Sequence, residues 1–142
     1  MKDVVNRKIK FREPFRPFAP VVPASVAGEY FEDSGFDQGP ALTDFMLAVV
    51  PWREAARDRV PSVDHQGTGR LQTIRRNIQP TYHDLVVRFG EITGVPVLLN
   101  TSFNLRGQPI VSTPEEALDT FRESGLDLLV LEDAVVRPDG NR

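Results

Sequence analysis

Val95-Pro96-Val97-Leu98-Leu99-Asn100-Thr101-Ser102-Phe103-Asn104, residues 95–104, sets an apolar run directly against a cluster of hydroxyl and amide side chains. Val95 to Leu99 has the length and aliphatic content of a buried strand. A polar cluster at the end of such a strand lies where sheet-and-helix proteins commonly bind ligands. Ahead of it, Pro80 to Thr93 puts Tyr82, Leu85, Val86, Phe89 and Ile92 on one helical face, and Gly94 follows as a stop. Behind it, Thr113-Pro114-Glu115-Glu116 opens a second helix as a capping box, with Thr113 as cap, Pro114 in the first turn and Glu116 reaching back. Ala117, Leu118 and Phe121 form that helix's apolar face, and Gly125 ends it. Leu128 to Leu131 and Ala134 to Val136 read as strands around Glu132-Asp133.

The first half is less regular. Residues 17 to 23 suit an extended segment interrupted by prolines. Ser25 is placed to cap a short helix with Val26, Ala27, Tyr30 and Phe31 as its apolar positions. Residues 33 to 41 read as a loop, and Phe45 to Val50 as a strand-like apolar run. Gly67-Thr68-Gly69 is a break, after which Arg70 to Arg75 alternates as a half-buried strand does. Strands mixed with helices over 142 residues predict an α/β or α+β fold, a twisted mixed sheet with helices near 81–93 and 114–124 packed on it. One domain is expected across residues 1–142. Burial is expected to favour Phe45, Leu85, Phe89, Val97, Leu98, Phe121, Leu128 and Val130.

Composition narrows the chemistry. Hydrophobic residues make up 40% and charged residues 26%, the balance of a soluble domain. The longest apolar stretches are strand-sized, so no membrane association is expected. The N-terminus lacks the apolar core of a secretory signal, which makes the cytoplasm the default setting. There is no cysteine, so disulfides, thiol nucleophiles and thiolate metal sites are absent. With two histidines, His65 and His83, a histidine-rich metal site is not expected either. The net charge of −3 does not favour nucleic acid as a partner.

The cations are nevertheless clustered. Arg7-Lys8-Ile9-Lys10-Phe11-Arg12-Glu13-Pro14-Phe15-Arg16 holds five of them against one acid, and Arg70, Arg75 and Arg76 form a second group. If the backbone of Lys10-Phe11-Arg12 is extended, Lys10 and Arg12 point to one side and can approach one polyanion together. A solvated basic edge strand explains the same pattern. Ser and Thr in residues 100–104 can donate to phosphate oxygens, and Asn can both donate and accept. A tight turn capped by its own Asx and Ser/Thr hydrogen bonds explains that cluster equally well.

Taken together, Lys-x-Arg near the start and Ser-x-Asn after a buried strand resemble the nucleotide site of YrdC-like domains. Asn6 to Pro20 (NRKIKFREPFRPFAP), Gly67 to Thr73 (GTGRLQT), Thr93 to Leu118 (TGVPVLLNTSFNLRGQPIVSTPEEAL) and Asp127 to Arg137 (DLLVLEDAVVR) resemble the C-terminal, YrdC-like domain of O-carbamoyltransferases of the nodulation and antibiotic-tailoring type. The resemblance runs in order over nearly the whole chain. It implies a domain that binds ATP and carbamoyl phosphate and forms carbamoyl adenylate. A separate N-terminal, actin-like ATPase-type domain, in cis or in trans, would then transfer the carbamoyl group to a hydroxyl. Carried over by motif, Lys10 and Arg12 hold phosphates, and Arg16 adds to the same cluster. Arg70 holds carbamoyl phosphate or the α-phosphate, while Thr101, Ser102 and Asn104 position the nucleotide. No protein-bound metal is implied, and Mg2+ would arrive on the phosphates.

The match departs from the family in two places. Asp64-His65-Gln66-Gly67 stands where the family carries His-Val-Asp-Gly. The family's upstream arginine-containing segment and its transferring domain are expected to be missing from this chain. A noncatalytic module binding a nucleotide, an RNA or a partner domain is the competing reading, and an incomplete fragment without activity is a third.

Overall fold

Five residues, Ala19–Pro23, form the strand around which the larger sheet is built. The computed structural model describes residues 1–11, 13, 15–32 and 41–138. Contacts divide them into two compact units, one made of Met1–Arg16 with Ser102–Arg142 and the other of Pro17–Thr101.

In the Pro17–Thr101 unit, β1 (Ala19–Pro23) pairs in parallel with β4 (Gln72–Ile74) and antiparallel with β5 (Leu98–Asn100). The sheet is therefore mixed, and the fold is α+β, as the interleaved helix and strand patterns predict. All five residues of β1 are buried, Pro20 and Pro23 included. Its pairing is short on both sides, three residues each, in a strand that two prolines deprive of donors. A second antiparallel pair joins β2 (Val49–Pro51) to β3 (Thr68–Arg70). α2 (Ala27–Tyr30) starts after Val26 without a side-chain cap, so Ser25 does not take the capping role expected of it. α3 (Glu54–Arg57) is a single turn.

The long helix α4 (Pro80–Thr93) ends at Gly94, whose φ of 76° is the left-handed stop that its glycine permits. The helix turns a different face inward from the one its large residues suggest. Val86 packs on Val21 and Ile74, with Tyr82 beside them, whereas Leu85, Phe89 and Ile92 are exposed. The reason lies one turn further along. Gly90 is buried so closely against Pro96 that an added Cβ would stand 2.6 Å from the proline Cβ and 3.0 Å from its Cα. The contact line thus follows residues 82, 86 and 90, and the bulkier 85, 89 and 92 face away. Gly90→Ala is expected to cost about 1–3 kcal/mol of stability through this overpacking, despite roughly 1 kcal/mol gained in helix propensity. Urea denaturation measures it, and a stabilised variant would show that the contact relaxes.

Phe45 corrects a second expectation. It ends a 3₁₀ turn, Leu42–Phe45, rather than starting a strand, and it is 68% exposed. Its neighbours Thr43 and Asp44 take the inward positions. Thr43 and Thr73 hydroxyls lie 2.9 Å apart, and Asp44 accepts from Thr73 Oγ1, from Arg75 Nε at 3.2 Å and from the Ala41 N–H at 3.1 Å. Burial pushes the Asp44 carboxyl up, but the Thr73, Ala41 and Arg75 donors outweigh it, and the group sits below the usual carboxylate range.

In the other unit, α1 (Lys2–Val4) continues into a wider π-type turn, Val5–Ile9. α5 (Pro114–Ser124) carries the capping box in full: Thr113 Oγ1 accepts from Glu116 N at 3.2 Å, and Glu116 accepts from Thr113 N. The Ser112 backbone and hydroxyl also donate to Glu116, holding its carboxyl below its ordinary range. Ala117 and Phe121 pack on Leu129 of β6 (Leu129–Leu131), which pairs with β7 (Ala134–Val136). Leu128 and Val130 are exposed, because the inward residue of β6 is Leu129. A strand's alternation read one place out exchanges its two faces. Among the described residues no helix is long and apolar enough to cross a membrane.

Candidate functional site

Helix and chain turn together at Lys10. The residue ends the Val5–Ile9 turn in helical conformation, and Phe11 then enters the left-handed region with φ 45°. The extended Lys10-Phe11-Arg12 geometry expected from the sequence is therefore not what carries Lys10. Arg12 lies outside the described residues.

Lys10 is 7% exposed, and its ammonium points into the segment that follows Thr101. Nζ donates to the Ser102 carbonyl, to Ser102 Oγ at 3.2 Å, to the Asn104 carbonyl at 2.9 Å and to Asn104 Oδ1 at 2.7 Å. Three elements of the predicted group thus meet across 92 to 94 residues of sequence. The segment is also tied to itself. Ser102 Oγ donates to Asn104 Oδ1 at 2.6 Å, Asn104 Nδ2 to the Gln108 carbonyl at 2.8 Å, and Leu105 N to Gln108 Oε1 at 3.2 Å. This is the self-capped turn that the residue types alone allowed, with a buried cation at its centre.

A cavity of about 260 Å³ opens beside this turn, lined by Lys10, Glu13, Arg16, Ser102, Asn104, Leu105, Arg106 and Gly107. Among the described residues, three cations and one carboxylate line it. Fully buried Asn6 donates to the Arg16 carbonyl at 3.3 Å and so fixes the backbone beneath Arg16. Arg16 Nε lies 3.3 Å from Glu13, and Arg106 Nη1 donates to the Phe11 carbonyl at 2.9 Å. Sequence reasoning missed Asn6, Glu13 and Arg106. The only sequence signal for Arg106 is its place before Gly107, whose φ of 80° makes the tight turn.

Arg70 and Thr101 belong to the other unit. Arg70 is exposed at the end of β3 and makes no ion pair among the described residues. The glycine before it has a packing role: a Cβ on Gly69 would meet Pro20 at 3.1 Å and Trp52 at 3.2 Å. The turn ahead of β3 is held by Asp64, which accepts from Gly67 N at 2.8 Å and pairs with Arg57 at 3.1 Å. The basic group at 70, 75 and 76 does not act as one. Arg75 is paired with Asp44, and Arg76 makes a two-pronged contact with Asp84 at 2.9 and 3.1 Å. Hydrogen bonds from Arg76 and His83 pull the Asp84 carboxyl down to about 2. Among the described residues no three of His, Cys, Asp and Glu gather as metal ligands.

Residues 1–138 match the model of the carbamoyltransferase C-terminus. The chain is 43% identical to nodulation protein NolNO of Sinorhizobium fredii over 96% of its own length and 20% of that protein. It is 41% identical to nodulation protein NolO of Bradyrhizobium diazoefficiens, over 96% of this chain and 24% of that one. Nodulation protein U of Rhizobium tropici is 38% identical over 76% of this chain and 18% of its own length. The chain spans a fifth to a quarter of the length of the curated relatives it matches first.

Proposed function

The chain belongs to the carbamoyltransferase family, matching its C-terminal region, and from that premise we propose that it binds ATP and carbamoyl phosphate and forms carbamoyl adenylate. The observation that carries this reading is the cavity in which Lys10 meets Ser102 and Asn104 beside Arg16 and Arg106. ATP and carbamoyl phosphate are both anions and repel each other. Bringing them together needs fixed cations and prealigned donors, because binding then supplies positioning and charge neutralisation in one step.

In this reading carbamoyl phosphate is first split by water into carbamate and phosphate. A carbamate oxygen then bonds to the α-phosphorus of ATP, the α–β bridging bond breaks, and pyrophosphate leaves. No protein nucleophile is required, which suits a chain without cysteine. Arg16 would hold phosphate oxygens, and Ser102 and Asn104 would order the nucleotide. The family resemblance assigns phosphate contacts to Arg12 and Arg70 and a nucleotide contact to Thr101. The cavity's donors suit phosphate oxygens better than a bare metal ion. Mg2+ therefore fits as a passenger on the phosphates, neutralising part of their charge when bound. The reading carries with it a cytoplasmic setting, where ATP is supplied. Transfer to a hydroxyl falls to another domain, for which the greater length of the relatives leaves room.

Calorimetric titration with Mg2+–ATP and carbamoyl phosphate, singly and together, tests the reading, coupled to a pyrophosphate assay. Expected results are binding of each ligand, tighter binding of either in the presence of the other, and pyrophosphate release that needs both. Absence of binding to either ligand rejects the proposal. Nucleotide binding without pyrophosphate release would favour a noncatalytic module.

A further inference from the structure

Among the described residues, the three cations that line the cavity differ in how far protein partners already engage them. Lys10 is buried and its ammonium is committed to oxygens of Ser102 and Asn104. Arg16 stands 3.3 Å from the carboxylate of Glu13 in the same cavity. Arg106 has no carboxylate partner among the described residues. One of its guanidinium nitrogens, Nη1, donates to the Phe11 carbonyl at 2.9 Å, and that acceptor is neutral. An arginine has five N–H donors, so one such bond to a neutral acceptor leaves most of its fork open to a ligand.

We infer that Arg106 is the residue that takes the phosphoryl end of an anionic ligand in this cavity, and that Lys10 is a positioning residue which holds the Ser102–Gly107 turn in place for it. The inference rests on the reading of the cavity as an anion site and adds to it a ligand contact that the family motifs did not assign. Two features preorganise Arg106. Lys10 fixes the turn that carries it, and the Phe11 carbonyl restrains the side chain. That carbonyl is presented by a residue in the left-handed region, a conformation rare for a bulky aromatic. Restraining the guanidinium beforehand removes ordering cost from binding, and its planar fork matches two phosphoryl oxygens at once.

The test titrates the full chain with inorganic pyrophosphate, ATP and carbamoyl phosphate, as wild type, Arg106→Gln, Arg106→Lys and Arg122→Gln. Arg122 is an exposed cation of α5 paired with Asp119, outside the cavity, and controls for net charge. Arg106→Gln is expected to weaken pyrophosphate binding about tenfold or more, the loss of a charge-assisted hydrogen bond. Arg106→Lys should fall between, keeping the charge and losing the fork. Arg122→Gln should bind as wild type does. The natural ligand that weakens alongside pyrophosphate identifies whose phosphoryl group Arg106 holds. Wild-type affinity in Arg106→Gln, or an equal loss in Arg122→Gln, overturns the inference while leaving the cavity reading intact. A wild-type chain that binds no phosphoryl ligand overturns both. If Arg106→Gln also lowers the melting temperature, Arg106→Lys decides: affinity equal to wild type refutes a role for the fork.

Discussion

Lys10→Met should lower stability by about 2–4 kcal/mol and weaken phosphoryl binding together. Methionine keeps the length and apolar stem of lysine, so the substitution removes the ammonium with little change in packing. What it leaves behind is a set of oxygens from Ser102 and Asn104 that all pointed at one donor. Each charge-assisted bond contributes about 1.5–3 kcal/mol when isolated. The sum is not additive here, because Ser102 is exposed and water can replace part of what is lost. Urea unfolding measures the first effect and pyrophosphate titration the second. Ser102→Ala should cost far less, roughly 0.5–1.5 kcal/mol, since Lys10 retains its other acceptors. Wild-type stability in Lys10→Met would mean that the ammonium is solvated and does not organise the turn.

The same lysine marks the boundary of what the sequence makes legible. Lys10, Ser102 and Asn104 group together on sequence alone because the motif pair is specific even though each half is weak. Their geometry does not follow from it. A lysine in an i, i+2 pattern suggests a strand side, whereas Lys10 ends a helical turn and is buried. Arg106 carries only the weak signal of its place before Gly107, since an arginine in a polar turn is normally a solvated one. Reading Arg70, Arg75 and Arg76 as one basic cluster fails for a physical reason. Asp44 and Asp84 neutralise two of the three, and Asp44 comes from 31 residues away in the chain.

Elements are more legible than faces. The sequence predicts α4 and α5 nearly to their ends because their stops and caps are local: Gly94, Gly125, and the box of Thr113 with Glu116. Burial depends on which residues meet, and that is not local. Gly90 draws α4 against Pro96 and turns Leu85 and Phe89 away, although a hydrophobic pattern alone ranks those two as core. Phe45 and Val130 mislead similarly, each next to the residue that faces in.

Asp44→Asn tests the polar anchor that replaces the expected apolar run at Phe45, and it should destabilise the protein by about 3–5 kcal/mol. The side chains of Asp44 and Arg75 are 9% and 11% exposed, so little water is on hand to take the place of either. Asparagine fills the same space but removes the charge facing Arg75, and it puts an amide where two oxygens accepted from Thr73, Ala41 and Arg75. Removing one member of a buried pair costs more than the pair's net contribution, because the other charge stays desolvated. The sign with pH follows from the lowered folded-state value. The unfolded carboxyl, near 3.8, binds a proton before the folded one does, so Asp44's contribution is fully present above that value. It is lost as pH falls from there through the folded value. Asp84 and Glu116 are lowered too, so the wild type's whole acid limb does not isolate Asp44. The difference between wild type and Asp44→Asn does: it should stay constant above about pH 5 and shrink below about pH 4. A difference that grows on acidification would mean that Asp44 is held protonated by its burial and that Arg75 does not govern it.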